Sequence, residues 1–186
     1  MDGEAEYKSL HQLISLEGKK AIVTGGAAGI GAAITRRLAE AGARVTVADI
    51  SGELPESTKK DLGELCDRVS FAQCDISREE QVKSMVGCAV TKMDILVNNA
   101  GIYPRKPLAD MTSEDFSRVT DINLLGTFLC SLHAGREMIK QRREGSIINI
   151  ASIEAVHPSS TGMSAYDASK GGVLTLPKSL AREFGP

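Results

Sequence analysis

Residues 21–42, "AIVTGGAAGIGAAITRRLAEAG", decide how the rest of the chain reads. An apolar run passes through Gly25, Gly29 and Gly31 into a stretch whose apolar residues recur with helical period. Strand, glycine turn and helix in that order let a backbone turn tightly and approach a pyrophosphate at the helix N-terminus. A glycine cluster alone marks only a turn; the strand before it, the helix after it and an acid about twenty residues on make it a dinucleotide cradle. That acid is Asp49, near the end of the run "RVTVADI" (44–50). A carboxylate there accepts hydrogen bonds from both adenosine ribose hydroxyls and repels a 2′-phosphate, so NAD is expected in preference to NADP. Ala27, Ala28 and Ile30 offer no cation to a 2′-phosphate, although Arg44 and the Lys59–Lys60 pair stand nearby in sequence.

Four further apolar runs repeat the strand signal: "RVTVADI" itself, "VSFAQCDI" (69–76), "DILVNNAG" (94–101) and "SIINIAS" (146–152). Each is apolar almost throughout, which marks strands covered on both faces by helices. The intervening segments supply those helices. The first closes on Gly42 as a C-cap; "SREEQVKSMVGCAV" (77–90) opens with Ser77 as N-cap and Glu80 completing a capping box; the segment 112–141 starts at Thr112 or Ser113. Five strands alternating with helices imply a doubly wound α/β parallel sheet in a single domain.

The 22 basic and 24 acidic residues are spread along the chain, for a net charge of −2. Nothing in that balance favours nucleic acid or an anionic membrane surface. The opening "MDGEAEYKSLHQLISLEGKK" lacks the apolar core of a secretory signal, and no run approaches the length of a membrane span, so a cytoplasmic protein is expected. Cys66, Cys74, Cys88 and Cys130 lie in apolar segments without metal-ligand spacing, and His11, His133 and His157 are scattered. Buried thiols in a reducing compartment and no metal site are the expectation.

In "SAYDASKGG" (164–172), Tyr166 and Lys170 are i and i+4 of a helix start and share a face. A phenol is a poor base at neutral pH, but an ammonium beside it favours its anion. Such a pair can take a proton from an alcohol as hydride leaves the same carbon, or return it in reverse. Ser152, ending the fifth run, can donate to the substrate oxygen where charge develops.

Four motifs in order make the chain resemble the short-chain dehydrogenase/reductase family, which has a Rossmann fold: T-G-x-x-x-G-x-G at Thr24–Gly31, N-N-A-G at Asn98–Gly101, the asparagine of "DINLLG" at Asn123, and S…Y-x-x-x-K at Ser152, Tyr166 and Lys170. The resemblance begins near Leu16, which makes 1–15 an N-terminal extension and 16–186 the dinucleotide-binding and catalytic domain. It implies a catalytic set of Asn123, Ser152, Tyr166 and Lys170, with Asn123 holding a water that links the lysine to solvent. It also implies that Gly25, Gly29, Ile30, Gly31, Asp49, Asp75, Asn99, Ala100, Gly101, Tyr166 and Lys170 bind the cofactor, Asp75 contacting adenine and Lys170 the nicotinamide ribose. A homodimer or homotetramer built on the helices of 116–132 and 166–184 follows from the same analogy.

Family members continue past "AREFGP" (181–186) into a sixth strand, a substrate lid and a seventh strand, so the domain is expected to be C-terminally incomplete. Pro177 falls inside the helix after Tyr166, where proline costs on the order of 3 kcal/mol and kinks the axis. The substrate wall is expected from 153–165, including Glu154 and His157. The leading reading is an NAD-dependent oxidoreductase of secondary alcohols and ketones. Its alternatives are an NADPH-dependent carbonyl or 3-oxoacyl reductase and a non-catalytic dinucleotide-binding fragment.

Overall fold

Successive residues of the first strand, β1 (Lys20–Thr24), enter opposite cores. Ile22 packs with one apolar cluster, Ala21 and Val23 with another. Strand geometry imposes the alternation, and both destinations are apolar, which is why the run has no polar face. In the computed structural model, which describes residues 7, 9–89, 93–142 and 144–185, β1 is the middle strand of five. With β2 (Arg44–Asp49), β3 (Val69–Gln73), β4 (Ile95–Asn98) and β5 (Ser146–Asn149) it forms a sheet of order β3-β2-β1-β4-β5. All pairings are parallel, with Ala21 opposite Val45 on one side and Ile95 on the other.

Helices cover both faces. Val82, Met85 and Val86 of α4 (Glu79–Ala89) and Leu129, Cys130, Ala134 and Met138 of α6 (Gly126–Lys140) enclose Ile22 and Leu96. On the opposite face Ala39 of α2 (Gly29–Glu40), with Ile34 and Leu38, meets Val23, Val45 and Val97. The doubly wound expectation therefore holds, and the three central strands are covered as read from their composition. The outer two are not: β3 and β5 are only half-buried, because the flanking helices centre on the middle of the sheet. The open edge of β5 borders a cavity of about 630 Å³ lined by Met138, Ile147, Pro177, Leu180 and Phe184, among others.

Each strand ends before the apolar run that announces it. Residues 25–26, 50, 74–76, 99–101 and 150–152 leave the ladder and become loops at the C-terminal edge. α2 stops at Glu40, and Gly42, two residues on, takes φ 104°. The Ser77 capping box is not formed: the Ser77 N–H and Oγ–H both donate to Asp75 Oδ1, at 3.0 and 2.7 Å, so Ser77 closes the preceding turn while α4 starts at Glu79. Thr112 caps α5 (Ser113–Thr120) in a reciprocal box with Asp115.

The segment read as one helix over 112–141 is helical without a break from Ser113 to Lys140, α5 and α6 being continuous through a π-helical turn at Asp121–Leu125. Pro177 does not interrupt the last helix, α7 (Ser164–Phe184), which runs through it. The remaining helices are α1 (Leu10–Ile14), which buries nothing, and α3 (Glu56–Leu62). Cys74 and Cys130 are buried free thiols, and burial pushes the Cys74 thiol up to about 11. Cys66 is only half-buried, and the side chain of Cys88 lies outside the description. Among the described residues no helix is long and apolar enough to cross a membrane.

Candidate active site

The strand order places a crevice between β1 and β4, where successive connections run to opposite sides of the sheet; open α/β sheets bind ligands at such a point. On one wall stands the glycine turn. Gly25 and Gly29 have φ of 61° and 54°, a region that favours glycine. Gly31 answers a different need, since a Cβ there would lie 2.0 Å from the Gly25 carbonyl oxygen and 2.6 Å from Asn99 Nδ2. Above Gly29 a Cβ would meet nothing within 4 Å, and Ala28 leaves the start of α2 without a side-chain cap. Open space, uncapped N–H groups and the absence of an acid from the first turn fit a pyrophosphate there.

Thr24 ties this wall to the other one. Its hydroxyl accepts from the N–H groups of Asn99 and Ala100, both at 3.1 Å. The Asn99 amide in turn donates to the carbonyls of Thr24 and Gly25 at 3.0 Å each. The Asn99 side chain thus clamps the turn, and Asn98 reaches across to Ser131 and Asn149 at 2.9 and 2.8 Å. Nothing in a sequence pattern distinguishes an asparagine that holds the cradle from one that touches its ligand.

Asp49 ends β2 beside the turn. Its Oδ2 accepts from the Ala27 N–H at 3.1 Å, and Oδ1 from the Ser51 N–H and hydroxyl at 3.2 Å each. Of the cations near it in sequence, Arg44 opens β2 at the far end of the strand and Lys59 pairs with Glu56 at 2.6 Å. Asp75 follows β3 on the same sheet edge, joined to Asp49 through the Cys74 N–H, which donates to the Asp49 carbonyl at 2.8 Å.

Tyr166, Lys170, Asn123 and Gly101 converge at the mouth of the crevice. The Lys170 ammonium is 5.8 Å from the centre of the Tyr166 ring and donates to the Ile150 carbonyl at 2.6 Å. It is 6 % exposed, and burial lowers its pKa. Asn123 is wholly buried in the π turn: Oδ1 accepts from the Ile102 N–H at 2.8 Å, while Nδ2 donates to the Ile102 carbonyl at 2.9 Å and to Ser169 Oγ at 3.0 Å. Ser169, which the sequence reading does not single out, passes the chain on by donating to the Tyr166 carbonyl at 2.7 Å. A π turn re-aims one side chain out of helical register, and this one delivers Asn123 to the start of α7. Gly101 lies against both groups: a Cβ on it would be 3.1 Å from Asn123 Oδ1 and 3.8 Å from Lys170 Nζ.

Ser152 opens a short 3-10 turn, Ile153–Ala155, that packs on α7, and its Oγ accepts from the Glu154 N–H at 3.2 Å. Its hydroxyl proton is left to donate elsewhere. Glu154, expected in a substrate wall, accepts from the Ser159 N–H at 2.8 Å and from its hydroxyl, which together hold the carboxyl below the usual range. His157 is exposed. Across from this loop the Tyr103 ring meets Tyr166 edge to face, centroids 6.3 Å apart and planes at 70°. A single sequence carries no signal for that contact, since Tyr103 lies on the loop after β4 and Tyr166 in the first turn of α7.

The model of the short chain dehydrogenase family matches residues 19–186. Borneol dehydrogenase, mitochondrial, of Lavandula x intermedia is 42% identical over 175 residues, which cover 91% of this chain and 65% of the relative. Secoisolariciresinol dehydrogenase of Forsythia intermedia is 39% identical over 175 residues, covering 91% and 62%. The chain therefore spans just under two thirds of the length of these relatives. The crystal structure of a short-chain type dehydrogenase/reductase from Mycobacterium marinum superposes with a TM-score of 0.91 at 33% identity, over 96% of this chain and 74% of that one.

Proposed function

The chain belongs to the short-chain dehydrogenase/reductase family, and from that premise we propose that it is an oxidoreductase interconverting a secondary alcohol and a ketone with NAD. The observation that carries this reading is the placing of a buried ammonium over the ring of a phenol at the mouth of the dinucleotide crevice. A protein that only held a dinucleotide has no need of a phenol paired with that ammonium, and burying the cation is costly.

Family members use NAD(P); bound here, the cofactor supplies the hydride acceptor or donor. Gly25, Gly29, Ile30 and Gly31 cradle its pyrophosphate, Asn99, Ala100 and Gly101 form the facing wall, and Asp75 meets the adenine. Asp49 takes the adenosine ribose hydroxyls. Preference for NAD is supported by that carboxylate at the strand end and by the placement of Arg44 at the other end of β2.

During oxidation Tyr166 accepts the alcohol proton, and during reduction it returns it, as a general acid–base. Lys170 holds the nicotinamide ribose and sets its ammonium beside the Tyr166 ring. Ser152 donates to the substrate oxygen as charge develops on it. Asn123 fixes the backbone of Ile102 and the start of α7 through the bonds described above. Self-association into a dimer or tetramer through α5, α6 and α7 is proposed on family analogy, with the part-exposed Phe116, Leu125 and Leu174 as apolar contacts. The free buried thiols suit a reducing compartment such as the cytoplasm.

The test is turnover of a secondary-alcohol panel, followed by the appearance of reduced cofactor, in parent and Tyr166→Phe. That substitution keeps the ring and its packing but removes the transferable proton. Turnover should fall by about a hundredfold or more while NAD affinity persists. Near-parental turnover would refute the assignment.

A further inference from the structure

Resting on the dehydrogenase reading above, we infer that Tyr103 is the specificity-determining residue of the substrate pocket, and that the substrate is an uncharged secondary alcohol or ketone carried on a bulky hydrocarbon ring. The first support is position. Tyr103 stands against Tyr166 in an edge-to-face pair, yet 73 % of it is exposed. A large aromatic ring left uncovered beside the reacting phenol is a surface that a ligand body can cover as its oxygen reaches that phenol.

The second support is the rim. Tyr103 lies on the loop after β4; the facing loop after β5 carries Ile153 and Val156, which are 69 % and 65 % exposed. The two loops are joined, because the Lys106 N–H donates to the Gly162 carbonyl at 2.9 Å. Gly162 has φ 78°, and a Cβ on it would press within 3.2–3.3 Å of the Lys106 backbone. Lys106 also pairs through its ammonium with Asp115, which anchors the Tyr103 loop to α5. Single exposed apolar residues need no explanation, but three on two joined loops bordering one reactive group form a patch of the kind that marks a binding surface.

Charge completes the argument. Three charged groups of this rim are engaged with the protein itself: Lys106 with Asp115, Glu154 with the Ser159 N–H and hydroxyl, and the exposed Arg105 with Ser160 Oγ at 3.5 Å. An anionic or cationic substrate finds no uncommitted counter-charge in Lys106 or Glu154, whereas a hydrocarbon body finds Tyr103, Ile153 and Val156 uncovered.

Two measurements test this on the full chain. In steady-state kinetics, Tyr103→Ala should lower the ratio of kcat/KM for cyclohexanol to that for 2-propanol by about tenfold, chiefly through KM. Tyr103→Phe should keep the parental ratio, since the ring and not the hydroxyl is invoked. A ratio unchanged in Tyr103→Ala, or lowered as far in Tyr103→Phe, overturns the proposal, as does a parental preference for 3-hydroxybutyrate over cyclohexanol. The second measurement does not depend on turnover. The chain has no tryptophan, so Tyr103→Trp places a single tryptophan at the rim, excited apart from the remaining tyrosines. Cyclohexanone should shift its emission to the blue by displacing water, and acetone at equal concentration should shift it less. Equal or absent shifts overturn the proposal. If the shift occurs while the parent turns over no alcohol, the rim assignment stands and the dehydrogenase reading falls.

Discussion

Lys170 holds its ammonium 5.8 Å from the centre of the Tyr166 ring, fastened from behind by a 2.6 Å bond to the Ile150 carbonyl. The helix supplies the i, i+4 spacing, and the loop after β5 supplies the acceptor that aims the charge. Burial works against that charge and lowers the lysine pKa, so its retention beside the phenol is a cost the fold bears locally.

Removing the cation therefore affects both chemistry and binding. Lys170→Ala is expected to weaken NAD affinity and to depress alcohol oxidation. The check is kcat for alcohol oxidation together with dinucleotide affinity by calorimetry; parental values of both would remove Lys170 from its assigned role.

Asp49→Ala should lower NAD affinity by about tenfold, on the scale of a lost charged hydrogen bond, and leave NADP affinity equal or improved. One change deletes ribose acceptors for the first cofactor and repulsion for the second. The Ala27 and Ser51 donors also lose their acceptor, which should cost about 1 kcal/mol of stability. An unchanged ratio of NAD to NADP affinity would contradict the role given to Asp49.

Two glycines of the same turn should respond differently. Gly31→Ala sets a methyl group 2.0 Å from the Gly25 carbonyl oxygen, and relieving that clash should cost about 3 kcal/mol and displace the cradle. Gly29→Ala meets open space in the unliganded chain, so its stability cost is that of the left-handed backbone, about 1 kcal/mol, although its methyl group enters the space proposed for the pyrophosphate. Urea midpoints of the two variants distinguish them; equal losses of stability would mean that close packing is not what Gly31 provides.

Asp115 offers a pH test of the loop anchor. The Lys106 ammonium, followed by the Thr112 N–H and hydroxyl, holds its carboxyl down to about 2 from an ordinary 3.8. A folded-state value below the unfolded one contributes stability above the ordinary value, and loses it as pH falls through the folded value. The Tm gap between parent and Asp115→Asn should be full at neutral pH and should close between 3.8 and about 2. A gap that stays constant over that interval would show that the ion pair adds nothing.

The sheet, the glycine turn and the Tyr166–Lys170 face were legible in the sequence because each is local. A run of apolar residues, a glycine before a helical period and an i, i+4 spacing are encoded by neighbours a few residues apart. The same locality explains the misses. Ser77 stands at capping distance from Glu80, but Asp75 competes for its N–H and hydroxyl and wins. Lack of polar alternation marks a two-sided strand, yet the cover over β3 and β5 depends on where α4, α6 and α2 come to rest. Asn123 is drawn into place by a π turn whose extra residue no periodicity announces. Asn99 turns back onto Thr24 and Gly25 only because the sheet order sets β4 beside β1, and Tyr103 meets Tyr166 because β5 lies on the other side of β4 and brings the start of α7 to the loop after β4. By itself the sequence determined the elements and the residues able to do chemistry. Which of those residues touch was decided by tertiary structure, because contacts between distant segments depend on strand order and packing, which short-range hydrogen bonding and periodicity do not encode.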